Sequence, residues 1–298
     1  MARDSVTRSN VLEWKGGRIS RLPETLASEE PLQIRIGRRP LSVTLRTPGD
    51  DHELVAGLLF AEGIIRSADE IASLRSGREG GAPCGVVRVE LQPGVAFNPG
   101  RSRRNFLANS SCGLCGKVSF ETSLLSRIER PNPDLRIDPE ILCGLPQTLK
   151  SAQVLFGRTG GLHAAALFEA SGKLIALKED VGRHNAVDKA VGWALVAGRV
   201  PLRNCILMLS GRGGFEIIQK SLVAGLPAVA CVSAASSMAV DLARRFGQTL
   251  VGFLREPRFI VYSGETRLGI GSRAERGVAG ATKGHVMPSP SVFPFIGS

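Results

Sequence analysis

A chain of 298 residues can bury about three quarters of its unfolded surface, so it needs neither disulfides nor a structural metal to hold a core. Hydrophobic residues at 43% and charged residues at 22% exclude a disordered chain, and 5% aromatics argue against rows of rings stacking on nucleobases. Thirty-eight Lys and Arg against 27 Asp and Glu leave a net charge of +11, which favours polyanionic partners: nucleic acid, nucleotides, phosphorylated cofactors or acidic protein surfaces.

No run reaches the ~18 apolar residues of a membrane helix, and Met1 to Asn10 lacks the apolar stretch of a secretory signal; the expected compartment is the cytoplasm. Residues 1–30 read as a polar, irregular segment. Leu32, Ile34, Ile36 and then Leu41, Val43, Leu45 alternate around a turn at Gly37–Pro40, the pattern of a β-hairpin. Asp50 followed by Glu53 predicts a capping box opening a helix from Asp51 to about Ile65. Val87, Val89 and Leu91 suggest a strand. From Pro93 to Ser111 the chain is rich in Gly, Asn, Ser and Arg and reads as a basic loop leading to Cys112 and Cys115. Asp138-Pro139 starts one short helix, and Pro146 predicts the start of another running to about Phe156.

After Gly157 apolar strands alternate with amphipathic helices. Strands are expected at His163–Glu169, Lys173–Lys178, Cys205–Leu209, Ala228–Val232 and Thr249–Leu254. Helices are expected from Arg183, at Phe215–Ala224 and at Ser237–Phe246. That rhythm implies an α/β sheet, mostly parallel and covered on both faces. The segment from Thr266 to Ser298 is rich in Gly, Ser and Pro and reads as largely disordered; its Arg267, Arg273, Arg276 and Lys283 are candidates for reinforcing cofactor or partner binding. The expected divisions are 1–30, 31–156, 157–265 and 266–298.

Of six cysteines only Cys112 and Cys115 form a close pair; Cys205 and Cys231 sit in apolar runs and read as buried small hydrophobes. Without a second pair or suitably spaced histidines the pair is no zinc site, and no metal ligands are assigned. A lone Cys-x-x-Cys in a reducing compartment is a redox or sulfur-handling candidate, and Arg101, Arg103, Arg104 and Lys117 would favour its thiolate. Two strand-to-helix turns, Glu179–Asn185 with Arg183 and His184, and Ser210–Glu216 with Arg212, place glycines and an Arg at helix N-termini, where N–H groups and the helix dipole favour anions. Thr159–Gly161 is a third small-residue loop. His163 and His184 read as acid–base groups or as ordinary structural histidines. Asp180 and Asp188 flank His184 and read as orienting carboxylates, Asp188 equally as the partner of an Arg or Lys on its own helix face.

An ordered set of motifs resembles the FdhD family, the formate dehydrogenase accessory sulfurtransferases. It comprises LVAGLLFAEGII (54–65), SCGLCGK (111–117), TGGLHAAA (159–166), EDVGRHNAVDK (179–189), SGR (210–212), FEIIQK (215–220), VSAASS (232–237) and LVGFLR (250–255). The resemblance implies a sulfur carrier that takes persulfide sulfur from a cysteine desulfurase. It would pass that sulfur to the molybdenum of bis(molybdopterin guanine dinucleotide) before formate dehydrogenase receives the cofactor. By position it makes Cys112 the persulfide cysteine, Cys115 a second relay thiol, and Phe253, Leu254, Arg255, Glu256, Pro257 and Arg258 a cofactor-binding segment. Arg183, His184 and Arg212 join the phosphate site. The implied fold is an N-terminal α+β region plus a cytidine-deaminase-like three-layer α/β/α domain with a mixed sheet, in a homodimer.

Zinc deaminases need a His- or Cys-x-Glu and a Pro-Cys-x-x-Cys at two helix starts; His184-Asn185-Ala186 and Arg212-Gly213-Gly214 supply neither, so deaminase chemistry and zinc are not expected. Gly213-Gly214 departs from the Ala-Ser common in the family. The rival readings are a dithiol oxidoreductase using Cys112 and Cys115, and a basic nucleic-acid-binding protein. The second is opposed by the scarcity of aromatics and the lack of a helix-turn-helix signature, so no nucleic-acid or membrane partner is expected.

Overall fold

A computed structural model describes residues 4–77, 85–97, 125 and 128–270. Cys112, Cys115, most of the basic loop, and residues 271–298 lie outside the described residues.

The chain opens with a departure from expectation. Residues 1–30 are not irregular: β1 (Val6–Lys15) and β2 (Arg18–Ala27) pair antiparallel. Gly16 and Gly17, both at positive φ (57° and 83°), make the tight turn. Both faces of this ribbon are largely exposed, so no apolar alternation marked it in the sequence.

The expected hairpin follows as β3 (Glu30–Ile36) and β4 (Arg39–Arg46). With β5 (Ile71–Gly77) and β6 (Gly85–Leu91) it forms a four-stranded sheet ordered β4-β3-β6-β5, in which β3 and β6 run parallel. Helix α1 (Asp51–Ala61) lies against this sheet with Leu54 to Ala61 all buried. The capping box does not form. Asp50 sits in the left-handed region at φ 55° and makes no cap; its carboxylate instead takes the Lys178 ammonium at 2.8 Å. The helix also stops short of Ile65, because Gly63 adopts a left-handed φ of 68° and the Ile64 N–H turns back to the Leu59 carbonyl at 2.9 Å.

Helix α2 (Pro139–Ala152) begins as expected: the Asp138 carboxylate accepts the Glu140 N–H at 2.8 Å and Pro139 takes the first helical position. Pro146 does not start a new helix. It lies inside α2, whose Leu142, Leu145 and Leu149 stay packed on one face; that burial outweighs the interior hydrogen bond a proline forfeits. A short α3 (Val154–Thr159) follows.

The second sheet has six strands: β7 (His163–Glu169), β8 (Leu174–Asp180), β9 (Cys205–Leu209), β10 (Ala228–Cys231), β11 (Thr249–Arg255) and β12 (Arg258–Ser263). Its order is β12-β11-β10-β9-β7-β8; β9, β10 and β11 are parallel, while β7 and β12 run against their neighbours. The sheet is therefore mixed and not mostly parallel as the strand–helix rhythm implies, because β7–β8 and β11–β12 are joined as hairpins without a crossover helix. Strand β12 had no counterpart in the sequence reading. The two-residue alternation divides each strand between two cores. Ala165, Leu167, Leu207, Leu209 and Val229 face α4 (Arg183–Val196), α5 (Phe215–Val223) and α6 (Ser237–Phe246). Ala164, Ala166, Phe168, Ile206 and Met208 face α2. The architecture is mixed α/β, and α2, which precedes residue 157, covers the second face.

The two sheets meet through one helix pair. A Cβ on Gly57 of α1 would stand 1.9 Å from the Asp188 carbonyl, and one on Gly192 of α4 would stand 1.8 Å from the Glu53 carbonyl. Only glycine permits that crossing, and through it the first core runs from Leu32, Ile34 and Val87 to Leu207 and Leu250 without interruption.

The expected tail also needs correction at its start. Residues 265–268 form a 3₁₀ turn, and Arg267 is 4% exposed. Its guanidinium donates to the carbonyls of Asn132 (2.9 Å) and Gly247 (2.7 Å), so it locks the 128–136 segment to the amino edge of the sheet and is no ligand contact. Among the described residues no helix is long and apolar enough to cross a membrane.

Candidate functional site

Strands β8, β9, β10 and β11 all end at one edge, and the loops that follow them form a continuous surface. The β8–α4 turn is held from beneath. Asp180, fully buried, meets the Lys189 ammonium at 2.7 Å. It also accepts N–H groups from Thr47 (3.1 Å), Gly182 (2.8 Å) and the Asn185 amide (3.0 Å). Lys189 in turn donates to the carbonyls of Thr47 and Glu179 at 2.9 and 3.2 Å. A buried ion pair satisfied on every side tolerates no rearrangement cheaply, so this turn presents Arg183 and His184 at the first turn of α4 from a fixed base.

In the next loop the Ser210 hydroxyl accepts the Ala164 N–H at 2.8 Å. The Gly213 N–H donates to the Ala234 carbonyl at 3.1 Å, and the Ser236 N–H to the Gly213 carbonyl at 3.0 Å. The β9–α5 and β10–α6 loops are thereby laced together around Arg212. Gly213 is obligatory here, since a Cβ would stand 2.8 Å from the Cys231 sulfur, whereas Gly214 faces open space. Helices α4 and α5 both start from glycine N-caps, Gly182 and Gly214, with no side-chain cap. By contrast Ser236 caps α6 through the Ala239 N–H at 3.4 Å.

The predicted residues divide. Arg183, His184 and Arg212 stand on this edge. The charges of Arg183 and Arg212 converge on His163 at the start of β7, a residue the sequence noted but did not place here. Burial first, then the two guanidinium groups, hold the His163 imidazole below its ordinary value of 6.5; Asp180 acts in the opposite sense. His184 has a neighbour that sequence reasoning missed: Glu216 of α5, 3.8 Å from Nε2. Asp188 does not orient His184 but pairs with Lys220 of α5, which also lies 3.6 Å from Glu216. Glu216 closes the Ser210–Glu216 turn and lies in the FEIIQK motif, but neither signal pointed to His184.

Phe253 joins the same edge, because its N–H donates to the Ser233 carbonyl at 3.1 Å and its ring is exposed. Its φ of 50° is left-handed, rare for a bulky residue. Leu254 is fully buried in the α2-side core, which leaves only its backbone for any ligand. Arg255, Glu256, Pro257 and Arg258 are exposed at the β11–β12 tip, and the charge of Glu256 bears on Cys143 of α2.

Three described cysteines are poor nucleophiles. Burial pushes the Cys231 thiol up to about 12. Cys205 is raised by burial and Glu169, and Cys143 by burial, Glu256 and Glu140. Among the described residues no group of three or more His, Cys, Asp and Glu side chains is arranged to hold a metal ion.

Comparison with known proteins gives this arrangement a family. The pattern of the FdhD/NarQ family matches residues 27–269. The chain belongs to the FdhD/NarQ family. It is 47% identical over 277 residues to the sulfur carrier protein FdhD of Streptomyces avermitilis, covering 91% of this chain and 98% of that one. It is 46% identical over 254 residues to the protein of that name from Mycobacterium tuberculosis, covering 83% and 92%. A crystal structure described as a formate dehydrogenase accessory protein from Desulfotalea psychrophila has the same fold, with a TM-score of 0.70 at 24% identity, covering 89% of this chain and all of that one.

Proposed function

We propose that this FdhD/NarQ-family protein is a cytoplasmic sulfur carrier in which Cys112 takes sulfane sulfur from a cysteine desulfurase. It then hands that sulfur to the molybdenum of bis(molybdopterin guanine dinucleotide) destined for formate dehydrogenase. The observation that carries the reading is the family match across residues 27–269, together with relatives named sulfur carrier proteins. In the loading step the Cys112 thiolate attacks the terminal sulfur of the desulfurase persulfide. A sulfur–sulfur bond forms on Cys112, the one on the desulfurase breaks, and the desulfurase cysteine leaves as thiolate, so no external oxidant or reductant is needed. The raised thiols of Cys143, Cys205 and Cys231 support assigning this role to the Cys112–Cys115 pair.

The client cofactor carries several phosphates. The starts of α4 and α5, with glycine N-caps and with Arg183, His184 and Arg212 beside them, suit phosphates through the helix dipole and positive charge; Phe253 and the segment to Arg258 border them. The same reading includes a homodimer and no resident zinc.

The test is intact mass spectrometry of the full chain after incubation with a desulfurase and cysteine. One added sulfur atom, lost in Cys112→Ala and reduced in Cys115→Ala, is expected. Sulfur that persists in Cys112→Ala would reassign the carrier. A Cys112–Cys115 disulfide without added sulfur would favour the dithiol oxidoreductase.

A further inference from the structure

His163 has no role in the reading above, yet it is the residue on which the edge converges. It is half-buried, stands directly across the ladder from Asp180, and has Gly211 against its ring, where a Cβ would lie 3.2 Å from Nδ1. The charged groups that face it come from three elements: Arg183 from α4, Arg212 from the β9–α5 loop and Asp180 from β8. Asp180 is already engaged by Lys189 at 2.7 Å and by N–H donors from Thr47, Gly182 and Asn185. Positive charge therefore prevails at the imidazole.

That balance changes when an anion arrives. An oxyanion between the two guanidinium groups cancels the repulsion that disfavours a third positive charge, and its oxygens accept a hydrogen bond from the imidazolium. We propose that His163, set between the β8–α4 turn and the β9–α5 loop, is the proton-taking member of this site: it takes one proton from water when a phosphate-type oxyanion binds between Arg183 and Arg212. The inference rests on reading this edge as the phosphate site. No covalent bond between heavy atoms changes and nothing is oxidised or reduced; one proton moves from solvent to an imidazole nitrogen. Because the bound form holds the extra proton, affinity rises as pH falls through the range in which His163 titrates. The site would thus grip a phosphate more tightly under mildly acidic conditions and release it under mildly alkaline ones.

The experiment follows the imidazole signals of the full chain by NMR across pH, alone, with sulfate and with GDP; His163→Gln identifies the signal. Sulfate is the cleaner probe because it does not itself titrate near neutrality. Added sulfate or GDP should move the His163 titration to higher pH, and sulfate should bind about tenfold more tightly at low than at high pH, a dependence lost in His163→Gln. Without any anion, Arg183→Ala and Arg212→Ala should each also move it to higher pH. GDP or sulfate binding that leaves His163 unmoved, or a pH dependence that survives His163→Gln, overturns the inference and leaves the cofactor reading standing. Failure of both probes to bind overturns the two together.

Discussion

A methyl group at position 213 would stand 2.8 Å from the sulfur of Cys231, so the buried thiol on β10 is what asks for glycine in this loop. Gly213→Ala should cost about 1–3 kcal/mol of overpacking. In a Cys231→Ala background most of that penalty should disappear, giving an interaction energy above about 0.5 kcal/mol in a double-mutant cycle read by urea melts. Equal penalties in both backgrounds would mean the strain lies elsewhere in the loop. Gly214 carries no such constraint, since its side faces open space. Arg183 and Arg212 were legible as site residues because glycine and arginine cluster at both turns. In the sequence His163 reads as an acid–base or structural histidine with no place at this edge, and Glu216 carries no role, because only the sheet order brings β7 beside β9 and sets α5 against His184.

At the scale of elements, strands and helices with one buried face were legible and the exceptions have physical causes. Five of the six strands of the second sheet showed themselves through apolar runs, since the central ones are covered on both sides, whereas the edge strand β12 did not. The β1–β2 ribbon did not, because neither face is buried enough to impose a period. Pro146 misled because a local rule was overridden by three leucines packed on the sheet. Asp50 misled because its carboxylate found Lys178 and not the helix N-terminus. The starts of α4 and α5 are where element geometry meets ligand: their N-caps, Gly182 and Gly214, contribute no capping side chain of their own. Arg183→Ala and Arg212→Ala should each remove a charge-assisted phosphate contact worth about 1.5–3 kcal/mol, or roughly ten- to a hundredfold in GDP affinity by calorimetry at fixed salt. The melting temperature should hold, since the turn beneath Arg183 is secured by Asp180 and Lys189 and not by the guanidinium. Unchanged GDP affinity in both variants would move the phosphate site away from this edge.

For the whole molecule, the β1–β2 hairpin is the part that the rest of the fold leaves least explained. It precedes the residues matched by the family pattern, which begin at 27. Its base is anchored, with the Ser5 hydroxyl donating to the Pro48 carbonyl at 2.7 Å and Ala27 beside Gly161. Toward the tip, Leu12, Trp14 and Ile19 are 64%, 71% and 70% exposed. Trp14 pairs directly with Ile19 across the strands, and Leu12 lies two residues from Trp14, so the three share one face. A two-stranded ribbon is marginal in water by itself, and an apolar stripe on a projecting arm is the kind of surface a partner covers. The homodimer proposed above offers one such partner, a second copy whose identical stripe meets this one about a two-fold axis, and that arrangement can be tested. Trp14→Ser with Ile19→Ser removes two side chains worth about 1.5–3 kcal/mol each when buried, which should weaken the dimer by more than about a hundredfold. Sedimentation velocity across a concentration series reads this directly, and circular dichroism should show the body of the fold unchanged. A wild-type chain that sediments as a monomer throughout, or a double variant that still dimerises, would take the arm out of self-association and leave its apolar face to a different protein.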